Sequence, residues 1–405
     1  MHSIMNNRQL FLQHIAQTSP APIGLEMVRA EGIYQWDING DAYLDLISGF
    51  SVCNIGHNHP KVIAAVQEQV EKYMHLIVYG EFIAQPQVAF AKLLVDHLPQ
   101  NLNSVYFTNS GAEATEGALK LAKRVNGRSK IIAFNKAYHG STQGALSVMG
   151  DEYFRNSFRP LLPEVYHYDY NNDEVLNAID NETACIIMET VQAESGIVKP
   201  DANWIKAIRE KCTRTGALLI LDEIQAGFGR TGTLWAFEQY NIIPDVLLLA
   251  KALGGGMPLG AFIADIDLMK QLTYNPVLGH ITTFGGHPVS CAAGKAALEI
   301  LLEHNWMKEA KIKEAILHEH LVHPAIKNIH VAGLWASLQF ESAALNQKIV
   351  HTCVENGLIT DWFLFAPDRL RIAPPLIITN EQLVEACNTI IRSIEETISQ
   401  KFEKQ

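Results

Sequence analysis

ALLILDEIQAGFGRTG (Ala217–Gly232), followed after a short connection by DVLLLAKALGGGMPLG (Asp245–Gly260), decides how this chain folds. It contains two apolar runs, Ala217–Leu221 and Val246–Leu249, and each ends in charge: Asp222 and Glu223 after the first, Lys251 after the second. Continuous apolar runs closed by polar and glycine-rich residues predict strands buried on both faces of a parallel sheet. In open α/β sheets, ligands bind just beyond the carboxyl ends of such strands. Asp222 and Lys251 are therefore expected to face one pocket. So placed, they form either a structural ion pair or two separate contacts on one ligand, and the two runs alone allow both.

Working outward, residues 85–300 repeat the same texture. PQVAFAKLLVDHL predicts a helix, and SVYFTNSGAEATEGALKLAKRV a strand, a turn and a helix. SKIIAFNKAYHG and TACIIMETVQAESG read as strands ending in polar loops, and WIKAIREKCTRTG as a helix closed by Gly216. Strands alternating with helices predict an α/β fold with a mostly parallel central sheet flanked by helices. Toward the N-terminus, QLFLQHIAQ predicts a short amphipathic helix, Asp37–Gly40 a hairpin turn, and Pro60 the start of a helix. Beyond residue 300, a long helical region is expected from Pro288 to about His323. It leads to HVAGLWASLQF as one strand, then GLITDWFLF, RLRIAPPL and an amphipathic helix from Asn380. This predicts a smaller α+β domain built from both chain ends: residues 1–50 join residues 301–405, and residues 51–300 form the large domain.

Composition narrows the function. The chain has 405 residues, 48% hydrophobic and 19% charged, with a net charge of −11, which fits an ordinary globular protein and disfavours nucleic acid or an anionic membrane as partner. No apolar run approaches the roughly 18 residues of a membrane span, and no secretory leader pattern opens the chain. The cysteines at 53, 185, 212, 291, 353 and 387 form no CxxC pair and read as buried thiols. A cytoplasmic enzyme is expected. His57 and His59 lie two apart without a ligand pattern, so no metal site is expected.

Several motifs fall at the predicted strand ends. Thr108-Asn109-Ser110-Gly111-Ala112-Glu113 joins a strand to an Ala-rich helix, where small residues and free N–H groups either form an anion site or simply a tight turn. It matches neither the phosphate-loop nor the dinucleotide glycine pattern. In Tyr138-His139-Gly140, the ring of Tyr138 can stack on a planar ligand or serve packing. Glu189 and Glu194 follow an apolar strand, and Glu194 either reaches substrate or an arginine, or is solvated. A carboxylate such as Asp222 near a heteroaromatic nitrogen keeps it protonated, and a desolvated Lys251 can form a Schiff base. Phosphate turn, stacked ring, acid and lysine in this order describe a pyridoxal phosphate (PLP) site.

Those residues resemble the class III, fold type I PLP-dependent aminotransferases, the group of acetylornithine, ornithine and 4-aminobutyrate enzymes. The likeness runs from DINGDAYLDLISG and GHNHP through TNSGAEATEGALKLAK, YHG, LLILDEIQAGFGRTG and LAKALGGGMPLGAF to TTFGGHP and LRIAPPL. It implies that Lys251 holds PLP as a Schiff base and moves the proton, while Asp222 pairs with the pyridine nitrogen. Gln225 would contact the 3-oxygen, Ser110, Gly111 and Ala112 the phosphate, and Tyr138 the ring face, with His139 alongside. Thr283 would reach the phosphate of the partner subunit's cofactor, implying a homodimer with shared active sites. Arg371 would grip a substrate carboxylate, with Glu194 as the acid that pairs with it between half-reactions. Ser141 and Thr282, and more loosely Ser51, Val52, Tyr79 and Glu81, would line the substrate side. One position departs from the pattern: Ser141 stands where acetylornithine and ornithine enzymes carry an arginine for a second carboxylate. The implied reaction is amino transfer from a small-molecule donor, ω-amino or acetylornithine-like, to an oxo acid such as 2-oxoglutarate. A mutase, racemase or decarboxylase on the same scaffold is the alternative.

Overall fold

A computed structural model describes residues 6–402. Near the N-terminus, strands β1 (Met27–Glu31), β2 (Tyr34–Asp37) and β3 (Ala42–Asp45) form an antiparallel meander, with the expected turn between β2 and β3. The large sheet holds β4 (Ser104–Thr108), β5 (Lys130–Phe134), β6 (Val165–Tyr168), β7 (Thr183–Glu189), β8 (Leu218–Asp222), β9 (Val246–Leu249) and β10 (Gly260–Ala264). Their order is β4-β10-β9-β8-β7-β5-β6, and β10 alone among them runs antiparallel to its neighbours.

Every residue of β7, β8, β9 and β10 is buried, because helices cover both faces. Side chains on a strand alternate between faces. Leu219 and Leu221 of β8 accordingly pack in the cluster of Ile205 and Ile208 on helix Ala202–Thr215. Leu218 and Ile220 enter the cluster of Ala118 and Leu121 on helix Gly111–Asn126. Gly117 lets that second helix lie close on the sheet: a Cβ there would sit 2.3 Å from the Phe262 ring. The apolar runs thus aim Thr108, Glu189, Asp222 and the residues after Leu249 at one edge of the sheet.

Strands from both ends of the chain meet in one of the remaining sheets. β13 (Leu358–Ile359) pairs in parallel with β3, and β11 (Asn328–Val331), β12 (Ala336–Gln339), β14 (Trp362–Phe363) and β15 (Ala366–Ile372) form a third sheet ordered β11-β12-β15-β14. Two expectations need correction here. HVAGLWASLQF is a hairpin rather than one strand, because Gly333 turns the chain with φ of 64°. The helical region after Pro288 is two helices, Pro288–Glu303 and Trp306–His320, broken at His304 and Asn305. The first helix, Asn7–His14, does form, but none of its residues is buried, so its apolar side chains have no core beneath them. His57 bonds Asp45 at 2.7 Å, and His59 caps helix Pro60–Lys72. All six cysteines are free thiols. Among the described residues, no helix is long and apolar enough to cross a membrane.

Candidate active site

At that sheet edge lies a cleft of about 420 Å³. Ser110, Gly111, Ala112, Tyr138, His139, Ser141, Asp222, Gln225 and Lys251 line it, so nine of the expected residues meet in one place. The turn after β4 forms its floor. Ser110 is the N-cap of helix Gly111–Asn126, its extended backbone stopping the helix while its Oγ accepts from Glu113 N at 3.2 Å. Glu113 is drawn back onto Asn109, whose backbone N and Nδ2 both donate to it at 2.8 Å. The first-turn N–H groups of a 16-residue helix therefore open into the cleft with the positive end of the helix dipole. At Gly111 a Cβ would lie 2.7 Å from the Ile224 Cδ1 methyl, which would have to shift to make room. Gly140, with φ of 120°, brings the Tyr138 loop onto the helix start, where a Cβ would strike Ala112 at 2.5 Å.

Asp222 does not pair with Lys251. Its Oδ2 lies 2.7 Å from His139 Nδ1, and its Oδ1 accepts from Ile224 N at 2.9 Å. A carboxylate has about four acceptor sites, so Asp222 keeps capacity for a further N–H. His139 Nε2 is buried without a partner. Lys251 follows β9 with φ of 52°, a left-handed conformation that costs on the order of 1–3 kcal/mol. Its ammonium makes no ion pair with the described residues. Burial, reinforced by Arg371 and opposed by Glu194 and Asp222, lowers its pKa to about 8. Glu189, at the end of β7, shares the lining, and burial beside Asp222 and Glu194 raises its pKa well above the carboxylate range.

Beyond Gln225 the character changes. Gln225 Nε2 donates to Glu194 Oε1 at 3.2 Å, and Glu194 is forked onto Arg371 by two bonds of 2.9 Å. Leu364 N adds a third donor at 2.9 Å. Burial alone would raise the Glu194 pKa, yet Arg371 holds it down at about 2. Arg371 is 1% exposed; burial pulls its pKa down, but Glu194 and Asp361 more than offset this and leave it raised. Sequence reading missed Asp361, whose Oδ1 accepts from Arg371 Nε at 2.9 Å. It also missed Phe363 and Phe50, with ring centroids 4.3 and 5.0 Å from the guanidinium carbon. The available signal was faint: an acid ten residues before Arg371 in a segment folding back on it.

Other expected residues lie further out. Ser141 Oγ is 3.2 Å from the Tyr138 hydroxyl. Thr282 Oγ1 accepts from Asn109 Nδ2 at 2.9 Å, which ties it to the helix-start turn. Thr283 is exposed and off the cleft. Val52 lines the cleft, Ser51 is buried, and Tyr79 and Glu81 line a second cleft with Leu278 and Ile281.

Helix-start donors for a phosphate, an aromatic face, an oriented carboxylate and a desolvated lysine around one cleft fit the functional groups of PLP. Comparison with known proteins agrees. Residues 15–394 match the family model for class-III aminotransferases. The acetylornithine aminotransferase of Methanopyrus kandleri is 38% identical over 376 residues, covering 92% of this chain and 94% of that protein. A [LysW]-aminoadipate semialdehyde/glutamate semialdehyde transaminase of Sulfurisphaera tokodaii is 37% identical, covering 92% and 96%. The ornithine aminotransferase structure from Toxoplasma gondii superimposes with a TM-score of 0.90 at 30% identity, covering 98% of this chain and 97% of that one. The chain belongs to the class-III aminotransferases, with the fold type I architecture. It is a PLP-dependent transaminase.

Proposed function

We propose that this transaminase takes an amino group from an ω-amino or acetylornithine-like donor and passes it to 2-oxoglutarate in a ping-pong cycle, as a cytoplasmic homodimer. The observation that carries this reading is the buried Arg371–Glu194 fork beyond the lysine. While Glu194 occupies Arg371, the guanidinium fork is filled and that end of the site suits an amine with no carboxylate beside the reacting carbon. When Glu194 withdraws, the same guanidinium meets the α-carboxylate of an oxo acid through two parallel bonds.

PLP, when bound, supplies the aldehyde and the electron-withdrawing ring. The chain's own residues do the rest. Gly111 and Ala112 N–H groups, with Ser110, take the phosphate. Asp222, oriented by His139, accepts the pyridine N–H. Tyr138 and Gln225, which line the cleft, would hold the ring and its oxygen substituent. Lys251 Nζ, its basicity reduced by burial, would be the group that takes up and gives back the substrate proton.

Ser141 and Tyr138 offer neutral hydroxyls where the resemblance calls for a guanidinium, which favours ω-amines over donors with a distal carboxylate. Exposed apolar residues around the second cleft, including Ile77, Phe82, Ile83, Leu278, Ile281 and Phe284, support the dimer, as does the outward position of Thr283. Free cysteines accord with a reducing compartment. The test is a half-reaction screen that follows loss of the bound cofactor's visible absorbance across a panel of amines. Conversion by ω-amines, reversed by 2-oxoglutarate, is expected. Isomerisation or CO₂ release with no need of an acceptor would overturn it.

A further inference from the structure

Arg371 makes four side-chain hydrogen bonds, and only two of them go to Glu194. Nε donates to Asp361 Oδ1 at 2.9 Å, and Nη2 also donates to the Trp362 carbonyl at 3.2 Å. Phe363 covers the guanidinium at 4.3 Å, and Phe50 approaches at 5.0 Å. The edge carrying Nη1 and Nη2 is the one Glu194 occupies. The two acids on this arginine take different edges of it: Asp361 accepts from Nε, and Glu194 from Nη1 and Nη2. Asp361 lies between β13, paired with β3, and β14, paired with β15, and its own carbonyl accepts from Arg371 N at 3.0 Å. The Glu194 main chain is held too, its carbonyl accepting from Phe365 N at 3.0 Å, so what can leave the fork is its side chain. Beside it, Gln225 Nε2 is already within bonding distance.

We propose that Asp361 is a positioning residue that keeps Arg371 stationary, so that Glu194 alone moves when a substrate carboxylate enters. This rests on the reading that Arg371 receives the oxo acid. With Glu194 withdrawn, Asp361 and Arg371 remain a compensated pair with the fork still aimed at the cleft. The incoming carboxylate takes the place Glu194 held, in the same plane, without reorganising the arginine. Burial raises the Asp361 pKa to about 6 despite Arg371, so at neutral pH Asp361 remains an anion able to accept from Nε.

The test compares single-turnover constants for the two half-reactions of the holoenzyme, with a carboxylate-free ω-amine as donor and 2-oxoglutarate as acceptor. Asp361→Ala is expected to lower the acceptor-to-donor ratio of kcat/KM at least about tenfold, chiefly through acceptor KM. Asp361→Asn keeps an oxygen that can accept from Nε and is expected to restore the ratio to within about threefold. Where the alanine variant does not fold, Asp361→Ser serves, because its hydroxyl is too short to reach Nε. Equal losses in both half-reactions, or an unchanged ratio, would overturn the proposal. Arg371→Gln separates the two ideas. If it spares the acceptor half-reaction, the functional reading of Arg371 fails. If it removes acceptor binding while Asp361→Ala does not, only the role of Asp361 fails.

Discussion

Lys251 at one end of this site is half-buried and Glu189, Glu194 and Arg371 are buried, yet the charges at the two ends respond in opposite ways. At the cofactor end, Lys251 is pulled down to about 8 and Glu189 is pushed up, so both move toward their neutral forms. At the carboxylate end, Glu194 is held at about 2 and Arg371 is raised, so both are fixed in their charged forms. Burial disfavours charge at both ends. The difference is pairing: Arg371 and Glu194 meet through two bonds of 2.9 Å, whereas Lys251 faces its acids without touching one. One end is prepared to exchange protons and the other to exchange carboxylates.

The severest break in this comparison is Lys251→Ala. It removes the one amine at the cofactor end and should lower turnover by ~10²–10⁴-fold from lost proton transfer alone, together with the visible absorbance of bound cofactor. A variant that kept both would refute the assignment. Next comes Arg371→Gln, which leaves Glu194 and Asp361 buried without their cation. A loss of about 3–5 kcal/mol in stability is expected, read by denaturant unfolding at neutral pH. Its pH dependence combines two opposed groups: Asp361, raised from 3.8 to about 6 by burial, relieves a cost as pH falls, while Glu194 loses its contribution. The folded Glu194 pKa of about 2 lies below the ordinary 4.5, so this group stabilises above pH 4.5 and loses that contribution as pH falls toward 2. The Glu194 carboxyl, followed by its own NMR titration, should keep its charge down to about pH 2 in wild type and lose it at higher pH in the variant.

The same contrast explains what could be read from the sequence. Asp222, Lys251 and the Ser110–Ala112 turn stand at the ends of strands whose apolar runs announce them, and the sheet then brings the ends together. Arg371 was visible only through a family motif, and Glu194 was a loop acid of open role until that motif paired the two, because they sit on a strand and a loop 177 residues apart. Asp361 carried no such mark. It lies between two strands of two residues each, too short to leave a periodic pattern, and its partner is set by how β14 turns onto β15. The missed hairpin at Gly333 and the missed break at His304 have the same origin. A single residue turned the chain while the apolar pattern on either side continued.

Ser141 tests how far the neutral character of the cofactor end extends toward substrate. Ser141→Arg introduces a cation at a position whose hydroxyl now lies 3.2 Å from that of Tyr138. A charge-assisted bond worth about 1.5–3 kcal/mol should raise kcat/KM for a donor with a distal carboxylate, such as N-acetylornithine, by at least about tenfold relative to a plain diamine. No change in that ratio would place the distal end of the donor elsewhere.

The smallest expected effect concerns the resting state of Lys251. In the cofactor-free protein its folded pKa of about 8 lies below the ordinary 10.5, so folding favours the neutral amine. The resulting cost to stability is fully present below pH 8 and is relieved as pH rises from 8 to 10.5. Only the neutral amine attacks an aldehyde. The rate at which added PLP labels Lys251, trapped with borohydride and read by peptide mass, should therefore rise about tenfold per pH unit below 8 and level off above it. A midpoint near 10 would mean that Lys251 is solvated like a surface lysine. The contrast between a proton-exchanging end and a charge-locked end would then collapse, even with the Arg371 pair intact.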